Sequence, residues 1–528
     1  MLWLLVLVAV TGLTRLVVWN SDIINVDEAS YIVGAREILL GHLPYTTFGD
    51  NKPPLIYLYY ALGQLLGGNG IAGVRLLTHL VTVPLTAFAV SAFYRHDRRG
   101  ITAALLFLLY SAAYTANDML AVNCELVMLL PLAWALVAVR TETDATRVER
   151  GFLAGFLIGI AALVKYQGAF WGPAVAIAVV VEGRRQGTTS AVNQLIALAL
   201  GFALPIIATL TVFASAGGLE GLVYWNVTHN IEYLQNPVSM LGTVERAARM
   251  VGPFMLGTAA LWAGWIGGSP LVSRYQRVLM AGLIATSACA ACLGLRFFPH
   301  YFVQLYPPLA IAAAPWIARV TVWPLRARGW AVATATAITV IGWTTANAVR
   351  TQAVTVPGLS AGATHVADWL KSDECYDQAS LFVWGSSPQF YYHADLPPAS
   401  QYFFPEFPLV HFYAGNPTAT RAHTKRRRHA GRTKHWRRLM TDLDQSQPAY
   451  ILDTASSGIG RWRDFPIDDY PALARLVRQK YTRGATVEGV HILRRNDCRS
   501  SNEMAGRRRG KSSEAGLGPT SVSGASPR

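Results

Sequence analysis

The chain reads as a polytopic α-helical membrane protein of about eleven spans with a small C-terminal α/β domain on the outer side. Three observations predict this class. Apolar runs of membrane-crossing length recur up to about residue 348, arginines gather in alternate connecting loops, and after Arg350 the composition turns to a soluble pattern. Of 528 residues, 52% are hydrophobic and only 15% are charged, where soluble proteins carry about 25% charged residues.

The candidate spans are 1–19, 76–94, 101–116, 121–139, 151–164, 168–182, 194–215, 250–268, 278–295, 302–320 and 329–348. Roughly 20 apolar residues cover ~30 Å of hydrocarbon, so most have the required length. The runs 151–164 and 168–182 are short, which suits tilted or partly re-entrant helices. Residues 1–19 lack a charged leading region and an A-x-A-like exit, so they read as a retained helix, not a cleaved signal. With the N-terminus inside, the inner loops hold Arg95, Arg98 and Arg99, then Arg140, Arg147 and Arg150, Arg184 and Arg185, Arg274 and Arg277, and Arg326 and Arg328. Asp27, Lys52, Glu125, Lys165 and His300 then all fall on the outer face.

Two long outer segments interrupt the spans. Residues 20–75 mix Pro, Gly and aromatics with helical periodicity over 29–40 and 55–66, which predicts helices along the interface. Residues 216–249 carry Tyr224, Trp225 and Tyr233, side chains suited to the headgroup level. Domain boundaries follow: a membrane core over 1–350, a soluble outer domain over 360–497 and a disordered tail over 500–528. Within the outer domain, 366–370 and 471–481 read as helix, and 380–384, 449–453 and 489–493 as strand. Residues 414–438 read as a basic surface insertion. Net charge is +15, but the runs 421–438 and 507–511 supply much of it, which argues against a nucleic-acid-binding face over the whole protein; the run 421–438 reads as a solvated surface, with anionic lipid headgroups as the functional alternative.

The chemistry-bearing residues cluster early. Asp27 and Glu28 follow the first span, where charge is costly unless paired or used. Lys52 precedes Pro53 and Pro54, which stiffen the backbone that aims it. The competing readings are modest: Asp27 as a helix N-cap, Lys52 and Lys165 snorkelling to headgroups, Glu125 as a helix-start charge, and Tyr301 as part of an aromatic belt. Asn226-Val227-Thr228 fits a glycosylation sequon, a match that arises often by chance. Cys289 and Cys292 lie in an apolar run with no ligand-type neighbour, so packing is the expected role. Cys375 and Cys498 bracket the outer domain's first and last strands, and a compact α/β domain on an oxidising side could bridge them.

The run DEASYIVGAREILLGHLPYTTFGDNKPPLIYLYYALGQLLG (27–67) resembles the first outer loop of bacterial GT-C membrane glycosyltransferases, those related to protein O-mannosyltransferases and lipid-A aminoarabinose transferases. AGVRL (72–76), NCELVMLL (123–130), LVKY (163–166) and HYFVQLYPPLA (300–310) extend the resemblance through 1–348, and VWGSSPQFYY (383–392) extends it loosely into the outer domain. The resemblance implies transfer of a sugar from a polyprenyl-phosphate donor to a hydroxyl acceptor of the cell envelope, on the outer face of the plasma membrane. Asp27 matches the family's first-loop aspartate, and Glu125 its second acidic position. Asn51 departs from the acidic residue that some relatives carry beside the lysine.

Residue chemistry agrees with that expectation. A carboxylate suits the base that takes the acceptor proton, which makes Asp27 the candidate, with Glu28 and Glu125 shaping an acidic pocket. Cations suit the departing phosphate, which selects Lys52, Lys165, Arg296 and Arg75. Tyr45, His300 and Tyr301 are candidate substrate contacts. Hard oxygen ligands suit divalent cations, so Asp27 and Glu125 are the candidate ligands should a metal take part. The alternatives are a flippase for lipid-linked sugars and a glycan-binding membrane scaffold. Flippases and transporters often show internal repeats, and the sequence shows none.

Overall fold

The computed structural model describes residues 1–19, 21–113, 119–140, 147–186, 188–234, 240–321, 361–404 and 434–498. The expected span 329–348, the first part of the basic run (421–433) and the tail 500–528 lie outside the described residues. The chain divides into two compact units, with the boundary between Ala361 and Gly362.

The first unit is helical. Among the described residues, three helices are long and apolar enough to cross a membrane: Ile71–Ala92, Thr188–Ser215 and Arg274–Leu295. The pair Met240–Gly257 and Ala259–Leu271, bent by 57°, makes a fourth if it counts as one broken span. Other expected spans are shorter apolar helices, among them Leu2–Thr14 and Cys124–Val139, while Leu55–Gly67 forms in the first outer segment. Length and composition therefore single out fewer crossings than the eleven apolar runs, because several runs break into shorter pieces. The run 302–320, for example, begins in the 3-10 turn Pro299–Leu305 before the helix Tyr306–Thr321.

Local chemistry sets the helix ends. Asp97 caps Arg98–Ser111, its carboxylate accepting from Arg99 and Gly100 N–H at 2.8 and 3.0 Å. Ser273 and Gln276 form a reciprocal capping box for Arg274–Cys292. Tight packing comes from small residues. Gly151, Gly155 and Gly159 recur every fourth position on Arg147–Val164, and a Cβ on each would press on the carbonyls of Gln194, Leu198 and Phe202 in the facing helix. Gly201 returns the contact against Phe152. This spacing lets two backbones meet where lipid supplies no hydrophobic drive.

Two stretches wind as π-turns, Leu77–Thr82 and Tyr224–Thr228. The second corrects an expectation. Trp225 is only 1% exposed, so it packs inside the protein and is not placed for the headgroup level. The side chain of Tyr233 lies outside the described residues.

The second unit holds a four-stranded sheet in the order β1-β2-β4-β3, formed by β1 (Leu381–Trp384), β2 (Tyr450–Asp453), β3 (Tyr481–Val487) and β4 (Val490–Arg495). β1 and β2 are parallel, and β4 is antiparallel to both β2 and β3. Glu488 and Gly489 join β3 to β4 with φ of 50° and 75°, the positive pair that a tight hairpin turn requires. Strand β3 has no counterpart in the sequence reading, which ran the preceding helix to 481. Only Tyr481 is buried along it, so the apolar alternation that marks a half-buried strand is missing. The expected basic insertion also changes character where it is described. Residue 434 opens the helix Lys434–Ser446, which buries Trp436, Leu439 and Leu443.

Cys375 and Cys498 form a disulfide across a separation of 123 residues, with Cα atoms 5.9 Å apart, inside the range that bridging needs. Cys375→Ser should lower the unfolding free energy of this unit by up to ~4–5 kcal/mol in the chain-entropy model. Calorimetry of the two proteins checks this, and matching transitions would refute a stabilising bridge.

Candidate active site

The site is built in the first unit around a buried ion pair. Glu125 opens the helix Cys124–Val139 and is 1% exposed, while Lys165, 5% exposed, follows the helix Arg147–Val164. Their side chains form a direct salt bridge. His300 Nε2 lies 3.9 Å from Glu125 Oε1, and Lys165 Nζ sits 4.3 Å above the Tyr301 ring. Four sequence candidates thus meet although they are far apart along the chain. The segment leading to His300 holds Gly294, Leu295 and Phe297 at positive φ (74°, 54° and 51°). Such backbone costs energy for non-glycine residues and gathers at functional sites. Arg296 is buried within it, at 2% exposure.

Tyr166 connects this pair to the Lys52 loop. Its hydroxyl donates to Asn226 Oδ1 at 2.9 Å and lies 3.4 Å from the Asn51 carbonyl. Asn230 Nδ2 donates to the same carbonyl at 3.1 Å, and Tyr45 Oη donates to the Lys52 carbonyl at 2.6 Å. Gly49 completes the fit, since a Cβ there would fall inside the Trp225 ring. Lys52 Nζ reaches Asn51 Oδ1 at 2.7 Å and lies 3.9 Å from Asp50 Oδ1. The two prolines stiffen this loop, but tyrosine hydroxyls and asparagine amides hold it in place.

Asp27 joins through a side-chain relay. Tyr31 Oη lies 3.5 Å from Asp27 Oδ2 and accepts from Cys124 Sγ at 3.2 Å, next to Glu125. Asn25 caps the helix Val26–Leu39 by accepting from Asp27 N–H at 2.9 Å. The carboxylate of Asp27 is therefore not the helix cap.

Glu28 and Arg75 do a different job from the one expected of them. Glu28 is fully buried and accepts from the N–H of Ile24 at 3.0 Å and of Val122 at 2.9 Å. Arg75 Nη2 lies 3.6 Å from it, and the guanidinium donates to the carbonyls of Val18 (2.8 Å), Asp22 (2.7 Å) and Ser21. With these bonds they tie the chain after the first helix, residues 18–24, to Val122 just before the helix Cys124–Val139. The contacts that Arg75 and Glu28 make are thus with each other and with backbone groups of the chain.

Five residues of the site escaped the sequence reading: Tyr31, Asp50, Tyr166, Asn226 and Asn230. Asp50 carried a legible signal, an acid two positions before Lys52. It is buried, which raises its pKa above the ordinary carboxylate value, and nearby Asp27 adds to the rise while Lys52 opposes it. A raised folded-state pKa means that the folded protein holds the proton more tightly than the unfolded chain does. Stability then falls as pH climbs from the ordinary carboxylate value of 3.8 to the raised one. Asp50→Asn should remove that fall, which unfolding midpoints across the acid range would show. An unchanged pH profile would refute the linkage.

Among the described residues, no three His, Cys, Asp or Glu side chains gather in a set that could hold a metal ion. The carboxylate of Glu125 is already engaged with Lys165.

Comparison with known proteins agrees with this architecture. Residues 51–212 match the family model described as dolichyl-phosphate-mannose-protein mannosyltransferase. A lipid A galacturonosyltransferase, RgtD of Rhizobium johnstonii, is 28% identical over 207 residues, which are 38% of this chain and 42% of that protein. The chain thus spans less than half the length of this curated relative. ArnT from Cupriavidus metallidurans bound to undecaprenyl phosphate superposes with a TM-score of 0.63 at 16% identity, covering 93% of this chain and 97% of ArnT. The apo state of the same enzyme gives 0.57 at 15% identity, with the same coverage. At such identities the likeness is one of fold. In fold this chain is thus similar to ArnT, and over residues 51–212 its sequence matches the dolichyl-phosphate-mannose-protein mannosyltransferase model.

Proposed function

We propose that the chain is an inverting glycosyltransferase that moves a sugar from a polyprenyl-phosphate donor to a hydroxyl acceptor of the cell envelope. The observation that carries this reading is the buried Lys165–Glu125 pair beside the clamped Lys52 loop. Buried cations are costly in a membrane protein and suit a ligand that brings negative charge. In the proposed step the acceptor oxygen attacks the anomeric carbon and its proton passes to Asp27. The bond from that carbon to the phosphate oxygen breaks, and the electron pair leaves with the polyprenyl phosphate. Charge grows on the phosphate, where Lys52, Lys165 and Arg296 act, since positioned cations stabilise such a transition state. Glu125 orients Lys165, while His300, Tyr301 and Tyr45 border the substrate.

In the same reading the core (1–350) crosses the plasma membrane about eleven times, the loop 20–75 is the catalytic outer loop, and the domain 360–497 lies outside. The printed name of RgtD, a lipid A galacturonosyltransferase, supports a lipid acceptor of the lipid A type. The test is an assay of the purified protein with labelled polyprenyl-phosphate sugars and envelope lipid. The expected result is label moving from donor to acceptor. Label that only crosses the bilayer of proteoliposomes, with every glycosidic bond intact, would replace the enzyme with a flippase.

A further inference from the structure

We propose that Asn226 contacts the donor, its amide Nδ2 donating a hydrogen bond to an anionic phosphate oxygen beside Lys52. This rests on the reading of the site as a polyprenyl-phosphate site. Two asparagines one helical turn apart, Asn226 and Asn230, face the Lys52 loop, and the contrast between them carries the argument. Asn230 spends its Nδ2 on the carbonyls of Asn51 (3.1 Å), Asn226 (3.1 Å) and Trp225 (3.3 Å) and on Tyr166 Oη (3.3 Å). Its role is to hold the loop.

Asn226 is arranged the other way. The Tyr166 hydroxyl, already accepting from Asn230, gives its own proton to Asn226 Oδ1 at 2.9 Å. Tyr45 Oη lies 3.5 Å from the same oxygen but directs its proton to the Lys52 carbonyl at 2.6 Å. In this arrangement the amide oxygen faces the two tyrosine hydroxyls. Nδ2 is shielded from solvent and has no hydrogen-bond partner among the described residues. An unmet buried donor is costly. The cost is offset if a ligand oxygen completes the donor.

Lys52 decides the class of that oxygen. It shares the loop that Asn226 borders and keeps 18% of its side chain accessible, so a ligand that meets the cation brings negative charge to this corner. Amide N–H to phosphate is a charge-assisted bond, about twice as strong as a neutral one. Holding Asn226 inward in this way also leaves no role for the sequon it begins.

The test is binding of undecaprenyl phosphate to the purified full-length protein, with unfolding temperatures measured alongside. Asn226→Leu matches the side chain in size and drops the donor, and should weaken binding about tenfold. Asn226→Asp keeps the acceptor for Tyr166 and turns the donor into a repelling oxygen. It should weaken binding at least as much, and still do so in about 0.5 M salt, where long-range repulsion is screened. Should Asn226→Leu fail to fold, Asn226→Asp decides. Wild-type affinity in either folded variant at high salt overturns the contact. If the wild-type protein binds no undecaprenyl phosphate, the donor reading falls and this inference with it, an outcome distinct from a bound ligand that ignores Asn226.

Discussion

Asp27→Asn should slow sugar transfer steeply while leaving the protein folded and its donor affinity nearly unchanged. The asparagine matches the aspartate in shape but cannot take up the acceptor proton. General-base contributions of this kind are worth about 10²–10⁴-fold, so turnover should fall by that factor. Stability should hold, because Asn25, not the Asp27 side chain, caps the helix. The contact with Tyr31 at 3.5 Å is long enough for an amide to replace the carboxylate at little cost. Single-turnover rates with a labelled donor, beside undecaprenyl phosphate binding, separate the effects. Full turnover in the variant would sink the base assignment. A loss of binding equal to the loss of rate would move Asp27 from proton transfer to donor recognition.

Lys165→Met should cost both stability and rate. Removing the ammonium leaves Glu125 buried without its direct partner, with His300 3.9 Å away as the remaining cationic candidate. Breaking a buried pair on one side costs about 3–5 kcal/mol, chiefly from the stranded charge. Turnover should fall about 10²–10³-fold, the scale of losing one positioned group at a developing negative charge. Adding Glu125→Gln separates the two. The double variant should recover most of the lost stability, because no charge is stranded, yet remain slow. Recovery of rate along with stability would make the pair a structural element and shift the phosphate role to Lys52 and Arg296.

Much of the site was legible one residue at a time. Asp27, Lys52, Glu125, Lys165 and His300 each stood out as an ionisable group at an apolar boundary, where charge demands a reason. Arg75 and Glu28 stood out by the same rule, and their bonds tie the chain behind the first helix to Val122. A buried charge in such a protein announces importance but not its kind: a guanidinium that donates to three carbonyls and one poised for phosphate look alike in sequence. Asp50 was missed beside a more conspicuous lysine. Asn226 and Asn230 were missed because their segment, rich in aromatics, suggested an interface.

The sequence by itself determined that the chain is largely helical and apolar up to about residue 348 and changes composition after Arg350, since apolar length and charge distribution are local properties that the order of residues records. It also determined the family resemblance, because the first-loop run lies in contiguous residues, and it pointed to a pairing of Cys375 with Cys498 from their places around the strands. Only the tertiary structure decided which charges meet. Lys165 finds Glu125 across 40 residues of chain, and Tyr166 meets Asn226 across 60. Such partners come from helix packing, set in part by the glycine stripe at Gly151, Gly155 and Gly159 that lets two backbones touch. Strand β3 likewise exists because β4 offers it a hydrogen-bonding edge. Pairing across space leaves no periodicity in the sequence, so these features became visible only once the chain was folded.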